Sequence, residues 1–178
     1  MHVMFDLETW GTTPGSALRS IGAVEFDPMG KDIGRTFYRN ISKESCLDLG
    51  FTVDPATEAW WAKQSKEASD ALNINPVHVT TAVIEFHNWF RTIGAEYIWC
   101  HGANFDEPLW TAVCRRLPTF IPWKFWNVRC TRTCYMLAQF DPKTFPRSGT
   151  HHNALDDATH QALCVQAAMR ILYETAPT

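Results

Sequence analysis

Four acidic side chains stand where apolar segments of the chain begin or end. Asp6 and Glu8 close an N-terminal apolar segment, and their i, i+2 spacing places both side chains on one face of a strand. Neighbouring carboxylates repel each other, so this pair favours a bound divalent cation. The alternative is that both side chains simply point into solvent.

The other two carboxylates lie at the entrances to predicted helices. Asp106 follows the apolar segment 97–101, a position where open α/β sheets build sites and where Asp also commonly caps a helix. Asp157 stands beside Ala158 in the apolar stripe of the last helix, so we expect it to face inward and Asp156 to lie further out. An inward carboxylate needs a cationic partner. His151, His152 and Arg147 are the nearest basic residues in sequence, and we expect none of them to pair neatly with it.

Carboxylates from separate elements can do a particular chemistry together. Oxygen ligands suit Mg²⁺ or Mn²⁺, and several of them can hold two metal ions for in-line displacement at phosphorus. His152 lies just before the last helix. With an ordinary pKa of about 6.5, a histidine can take a proton from an attacking water. The residues therefore predict metal-assisted phosphoryl transfer to water.

The elements that must position these residues follow from hydrophobic periodicity. Strands are predicted over Met1–Leu7, Ser20–Phe26, Thr36–Ile41, Tyr97–His101 and Asn127–Cys130. Helices are predicted over Thr57–Glu67, Thr80–Ile93, Glu107–Leu117, Thr131–Gln139 and Ala154–Glu174. Three successive strands followed by alternating helices and strands predict a mixed sheet with helices packed on it, in the α/β class. The 178 residues fit one domain, 1–178.

Composition excludes several classes of protein. With 46% hydrophobic residues and no run of eighteen apolar residues, the chain is neither disordered nor membrane-spanning. The N-terminus lacks the basic and apolar regions of a signal peptide, so we expect a cytoplasmic protein. The six cysteines lie mostly in apolar segments, which favours reduced, buried thiols. The Cys130-x3-Cys134 spacing is too loose to indicate zinc.

Charge is unevenly distributed along the chain. The net charge of −3 argues against a non-specific nucleic-acid binder. Residues 111–150, however, hold seven basic residues and one acidic residue, between two acidic flanks. This segment is either a solvated basic face or a surface that meets phosphates.

Three ordered motifs resemble the DEDDh 3′–5′ exonuclease superfamily, the DnaQ or RNase T-like group. They are Asp6-Leu7-Glu8-Thr9, Gly102-Ala103-Asn104-Phe105-Asp106 and His152-Asn153-Ala154-Leu155-Asp156-Asp157-Ala158. The resemblance extends from Met1 to about Tyr173. The chain is more closely similar to the small phage and bacterial exoribonuclease-like branch, which includes DNA- and RNA-degrading enzymes. This similarity lies in residues 7–16, in residues 20–24 and in Trp60-Trp61-x-x-Gln64.

The resemblance implies a fold, a metal site and a reaction. The fold would be ribonuclease H-like, with a five-stranded mixed sheet flanked by helices. Two Mg²⁺ or Mn²⁺ ions would be held by Asp6, Glu8, Asp106 and Asp157, and His152 would be the general base. Two-metal-ion hydrolysis would release 5′-mononucleotides from the 3′ end of DNA or RNA, with DNA slightly favoured. Relatives are often homodimers, so we expect a homodimer.

Substrate contacts are predicted from the motifs and from the basic segment. Thr9, Trp10 and Gly11 would contact the terminal nucleotide, with Trp10 either a stacking platform or a buried loop residue. Of Trp60 and Trp61, we expect one to be core and the other to line a groove or an interface. Phosphate contacts are expected from Arg129, Arg132 and Arg147.

Two other functions stay open at this stage. An exonuclease fold can be catalytically inactive and serve as a nucleic-acid-binding module, although all five key positions carry chemically competent residues. The chain can also be a hydrolase of small nucleotides or very short oligonucleotides, which would leave long strands intact.

Overall fold

A computed structural model describes residues 1–64, 70 and 72–174 of the chain. Its sheet has the strand order β3-β2-β1-β4-β5. β1–β2 and β2–β3 are antiparallel, whereas β1–β4 and β4–β5 are parallel. The predicted five-stranded mixed sheet is confirmed. The strands are β1 (His2–Thr9), β2 (Leu18–Phe26), β3 (Ile33–Asn40), β4 (Tyr97–Cys100) and β5 (Val128–Cys130).

Six α-helices occur among the described residues. They are α1 (Lys43–Asp48), α2 (Pro55–Trp61), α3 (Val79–Thr92), α4 (Asp106–Arg116), α5 (Thr131–Leu137) and α6 (Ala154–Glu174). The periodicity did not predict α1. This helix has only 6 residues, and the hydroxyl of Ser42 caps its N-terminus. The helix predicted over residues 57–67 begins two residues earlier at Pro55, after the capping side chain of Asp54. Residues 65–67 of that prediction lie outside the described residues.

The sheet separates two apolar layers, because successive side chains of a strand point to opposite faces. Val3, Phe5 and Leu7 of β1 pack in the layer that contains residues of α3 and α4. Met4 faces the other layer, which contains residues of α5 and α6. Asp6 and Glu8 continue the face of Met4, and α6 is therefore the helix that lies opposite both carboxylates.

Parallel pairing brings the other site elements to the same edge of the sheet. β1 and β4 run in one direction, so the C-terminal end of β1 lies beside the segment that leaves β4 and enters α4. All six cysteines are free thiols, and five of them are buried, as the sequence predicted. No helix among the described residues is long and apolar enough to cross a membrane.

Candidate active site

The five residues of the three motifs line one cleft. Asp6 and Glu8 lie at the end of β1, Asp106 is the first residue of α4, and Asp157 lies in the first turn of α6. His152 lies two residues before the start of that helix. The cleft has a volume of about 550 Å³. Ligand atoms of Glu8, His152 and Asp157 all lie within 4.8 Å of one another, so these three residues could hold one metal ion. The remaining walls are formed by Leu7, Thr12, His101, Asn104, Phe105, Arg132 and Gln161.

Hydrogen bonds fix two of the carboxylates to β1 and α6. The backbone N–H of Leu7 donates to Asp106 Oδ1 at 3.2 Å, which ties the start of α4 to the first strand. Gln161 Nε2 donates to Asp6 Oδ1 at 2.8 Å, one turn of α6 beyond Asp157. These bonds hold each side chain in one orientation at the cleft wall.

The carboxylates destabilise one another's charged forms. Burial, together with the charges of Asp106, Glu8 and Asp157, raises the pKa of Asp6 well above its usual range. Burial first, then Asp157 and Asp106, raises the pKa of Glu8 to about 8. Burial raises the pKa of Asp106 to about 7, although the N–H of Leu7 partly opposes this. A divalent cation would relieve this repulsion, and the donor set is the all-oxygen type that Mg²⁺ and Mn²⁺ prefer, with one imidazole nearby.

His152 is held above Asp157 in an unusual backbone conformation. Its φ is +63°, a left-handed value that histidine adopts more readily than most side chains. Its backbone N–H donates to Asp157 Oδ2 at 3.0 Å, and its ring lies edge-on to Trp60 with a centroid distance of 4.8 Å. Burial lowers the pKa of His152, so its imidazole is neutral at neutral pH and can accept a proton.

Arg147 forms an ion pair with Asp157 through Nη2 and Oδ1. The expectation that no nearby basic side chain pairs with Asp157 is therefore wrong. The segment before α6 makes a 3₁₀ turn at Pro142–Thr144 and a left-handed turn at Gly149, and this path returns Arg147 to the helix. Asp156 points the other way and accepts a hydrogen bond from the N–H of Thr150 at 2.8 Å.

Residues 1–169 match the family model of the 3′-5′ exoribonuclease Rv2179c-like domain. The chain belongs to this family. It is a 3′–5′ exonuclease and thus a phosphodiester hydrolase, and the sequence-based assignment to the DEDDh exonucleases is confirmed. No curated protein matches the chain significantly.

Solved structures of exonucleases share the fold. The nuclease domain of 3′hExo, a DEDDh family member bound to rAMP, superposes with a TM-score of 0.62 at 12% identity, covering 98% of this chain and 92% of that one. Exonuclease X in complex with 5′ overhanging duplex DNA gives a TM-score of 0.60 at 17% identity, covering 96% and 92%. A 3′-exonuclease recognising the 3′ end of a histone mRNA stem-loop gives 0.53 at 14%, covering 98% and 82%.

An apolar pocket lies beside the carboxylates. It has a volume of about 480 Å³ and shares Glu8 with the central cleft. Trp61 is buried and donates from Nε1 to the carbonyl of Thr9 at 2.8 Å, whereas Trp60 is 42% exposed. Both rings line the pocket, together with Phe105. Trp61 is therefore part of the core and Trp60 is not, and both rings line the apolar pocket.

Of the three residues predicted to contact the terminal nucleotide, one lines the apolar pocket. Thr9 lines the apolar pocket, but Trp10 and Gly11 do not. The Trp10 ring instead packs against the guanidinium of Arg19 at 4.6 Å and the ammonium of Lys43 at 4.5 Å. Thr12, which the motifs did not single out, lines both the pocket and the cleft.

The three predicted phosphate-binding arginines lie in different places. Arg132 lines the central cleft. Arg147 forms an ion pair with Asp157, which lines the cleft. Arg129 lies away from the cleft, where it stacks over Tyr97 and donates to the carbonyl of Trp126 at 2.7 Å. Gln161 was not among the predicted site residues, although its position four residues after Asp157, on the inner stripe of α6, was an available signal.

Proposed function

We propose that this chain removes nucleotides one at a time from the 3′ end of RNA by metal-dependent hydrolysis, releasing 5′-mononucleotides. The observation that carries the proposal is the convergence of four carboxylates and a neutral histidine on one cleft, with an apolar pocket beside it. RNA is favoured because the family is described as exoribonucleases. The preference for DNA that the sequence analysis expected is the competing outcome of the same experiment.

The carboxylates fit the metal ions that such a reaction requires. Two Mg²⁺ or Mn²⁺ ions would be held by Asp6, Glu8, Asp106 and Asp157, because all four offer carboxylate oxygens as ligands. Burial raises the pKa of Asp6, Glu8 and Asp106, so a cation would stabilise their charged forms. When bound, these ions would supply Lewis-acid stabilisation of the negative charge that develops on the phosphate.

The side chains of the cleft would perform the remaining steps. The neutral imidazole of His152 would take a proton from the attacking water. The oxygen of that water would form a bond to the phosphorus of the last phosphodiester. The bond from phosphorus to the 3′-oxygen of the preceding nucleotide would break, and that oxygen would take a proton from solvent. Trp60 and Phe105 would hold the terminal nucleoside in the apolar pocket, since aromatic side chains stack on bases without sequence preference. Arg132 would contact the phosphate.

The experiment is a cleavage assay on matched RNA and DNA strands labelled at the 5′ end. Each strand is incubated with Mg²⁺, with Mn²⁺ or with EDTA, and the products are separated on a sequencing gel. We expect a ladder that shortens from the 3′ end, appears faster on RNA and disappears in EDTA. A faster ladder on DNA would reverse the sugar preference.

Two other outcomes would replace the proposal. Strands that are bound but never shortened would indicate a catalytically inactive binding module. Intact long strands with cleaved dinucleotides would indicate a hydrolase of very short oligonucleotides. The expected homodimer and the single exonuclease domain stay predictions, which light scattering and limited proteolysis test.

A further inference from the structure

A β-bulge in β2 takes Arg19 out of the regular alternation of the sheet. The β1–β2 register shifts by one residue between Glu8 and Thr9, and Arg19 is left without a partner residue there. Bulges of this kind re-aim a side chain and are common beside active sites. The Arg19 side chain lies against Trp10, the residue that follows β1, and Arg19 is only 5% exposed.

The guanidinium of Arg19 contacts two indole rings. Its Cζ lies 4.6 Å from the centroid of the Trp10 ring and 4.1 Å from that of the Trp61 ring. Among the described residues no carboxylate forms an ion pair with Arg19, and its Nε and Nη1 have no hydrogen-bond partner. A buried cation is costly unless its charge is compensated, and tryptophan faces are the best aromatic partners of a cation. The close contacts that stabilise this buried cation are thus aromatic.

Trp61 connects the cation to the apolar pocket. Its ring lines the pocket, and its hydrogen bond to the carbonyl of Thr9 fixes the indole at the end of β1. The same ring lies edge-on to Trp60 at 4.9 Å and to His152 at 6.0 Å, centroid to centroid. Arg19 lines neither the pocket nor the cleft, so it does not touch a ligand there and must act through a neighbour.

We propose that Arg19 is a positioning residue for the terminal nucleoside, because it fixes the Trp61 wall of the apolar pocket. The inference rests on the proposed function, in which that pocket takes the terminal nucleoside. Trp10 gains a role by the same argument. It does not line the pocket, but its ring packs against Arg19 and restricts where the guanidinium can lie.

The other group that acts on Arg19 is Glu8, one of the four carboxylates. Burial lowers the pKa of Arg19, and the charge of Glu8 opposes this effect. A role through Glu8 would change the affinity for metal ions, whereas a role through Trp61 changes the affinity for the nucleoside. The two roles therefore predict different results in an inhibition experiment.

The experiment measures how two ligands inhibit strand cleavage in the presence of Mg²⁺. One is the nucleoside 5′-monophosphate of the sugar series that the strand assay selects, and the other is inorganic phosphate. Both offer a phosphate to the cleft, but only the first places a nucleoside in the apolar pocket. The ratio of their inhibition constants therefore measures how well the pocket holds the nucleoside. Wild-type protein that shortens no strand would contradict the proposed function itself, which separates that failure from failure of the role of Arg19.

Arg19→Met removes the charge and keeps an unbranched side chain. We expect it to weaken inhibition by the nucleoside monophosphate about threefold to tenfold and to raise KM for the strand, because the Trp61 wall loses its support. Inhibition by phosphate should not change, and neither should the Mg²⁺ concentration that gives half the maximal rate. Arg19→Lys should recover part of the loss, since an ammonium keeps the charge at the ring but lacks the planar guanidinium.

Trp10→Leu tests the same support from its other side, and it keeps the proposal testable if Arg19→Met does not fold. We expect weaker inhibition by the nucleoside monophosphate here too, although the substituted residue does not line the pocket. The matched control is Arg39→Met, which removes a β3 arginine whose Cζ lies 5.2 Å from the centroid of the Phe37 ring. It should change neither inhibition constant.

Three results would overturn the proposal. Equal weakening of both inhibitors by Arg19→Met, with a higher Mg²⁺ requirement, would assign Arg19 to Glu8 and the metal ions. An unchanged ratio of the inhibition constants in both Arg19→Met and Trp10→Leu would show that the pocket does not depend on this support. A loss with Arg39→Met as large as that with Arg19→Met would show that any arginine of the sheet has the same effect.

Discussion

Gly22 of β2 lies directly beneath Ala154, the first residue of α6. A Cβ atom on Gly22 would fall 2.2 Å from the carbonyl carbon of Ala154, closer than real Cβ atoms approach backbone. Gly22 also pairs with Asp6 across the β1–β2 ladder. The absence of a side chain at this one position lets the helix that carries Asp157 approach the strand that carries Asp6 and Glu8.

Gly22→Ala should therefore damage both stability and activity. The helix start must move away from the sheet, because the clashing atoms belong to backbone and cannot rotate aside. We expect a loss of about 1–3 kcal/mol in the free energy of unfolding, measured by urea titration, and a larger loss in turnover than in substrate binding. Gly34→Ala in β3 is the control, since its nearest neighbour is the flexible side chain of Glu25. Equal effects of the two substitutions would contradict this explanation.

Asp6→Asn should abolish turnover while leaving the fold intact. An amide at this position costs less to bury than a carboxylate near Glu8 and Asp106, so the variant should unfold in EDTA at a temperature at or above that of the wild type. Mg²⁺ or Mn²⁺ should raise the melting temperature of the wild type and raise that of the variant much less. A variant with the wild-type rate would contradict the four-carboxylate site.

His152→Ala should lower the rate about 10²- to 10⁴-fold at neutral pH, the usual loss for a general base. Metal-dependent thermal stabilisation should change little, because the four carboxylates proposed as ligands stay in place; a large loss of it would make His152 a metal ligand as well. The control is His151→Ala, which removes the neighbouring exposed imidazole. An undiminished rate with His152→Ala, together with a large loss with His151→Ala, would transfer the role of the base to His151.

Arg147→Gln should destabilise the protein mainly when no metal is present. The Arg147 and Asp157 side chains are only 19% and 16% exposed, so removing one partner leaves a poorly solvated charge. We expect a loss of about 1–2 kcal/mol in EDTA, and a smaller loss with Mg²⁺ if a cation takes over Asp157. Arg35→Gln breaks a pair whose arginine is 55% exposed and should cost much less stability than Arg147→Gln, independently of metal. Identical losses in EDTA and Mg²⁺ for Arg147→Gln would count against metal binding at Asp157.

Periodicity and motif order predicted the parts of this molecule that depend on short-range pattern. The last helix begins at Ala154, as predicted, and continues to Glu174, the last of the described residues, because its inner stripe is long and regular. Asp6 and Glu8 share a face because the strand period of two requires it. The antiparallel pairing of β1, β2 and β3 follows from the short connections between these consecutive strands, whereas the parallel pairing of β4 with β1 does not.

The parts that residue types alone did not specify depend on how loops return to the core. The pairing of Arg147 with Asp157 needs the left-handed turn at Gly149, and residue types alone do not specify that path. Trp10 and Trp61 are equally aromatic in the sequence, yet Arg19 lies against both rings and only Trp61 lines the pocket. Which of these two tryptophans lines the pocket is therefore decided by packing.

His87 should make the stability of the protein depend on pH through a group outside the active site. Its side chain is buried, Nε2 accepts a hydrogen bond from Trp110 Nε1 at 3.3 Å, and burial lowers its pKa to about 4. In the unfolded chain that pKa returns to about 6.5, so between these values the unfolded state binds more protons than the folded state. The stability that this group contributes is complete above about pH 6.5 and is lost as the pH falls toward 4, by about 3 kcal/mol at most.

Urea titrations at a series of pH values measure this loss. Between pH 6.5 and 4, the free energy of unfolding should fall less steeply for His87→Gln than for the wild type. It should fall as steeply as in the wild type for His151→Gln, whose side chain is exposed. If His87→Gln declined as steeply as the wild type, the buried imidazole would be protonated without cost and its packing against Trp110 would not exclude the charged form.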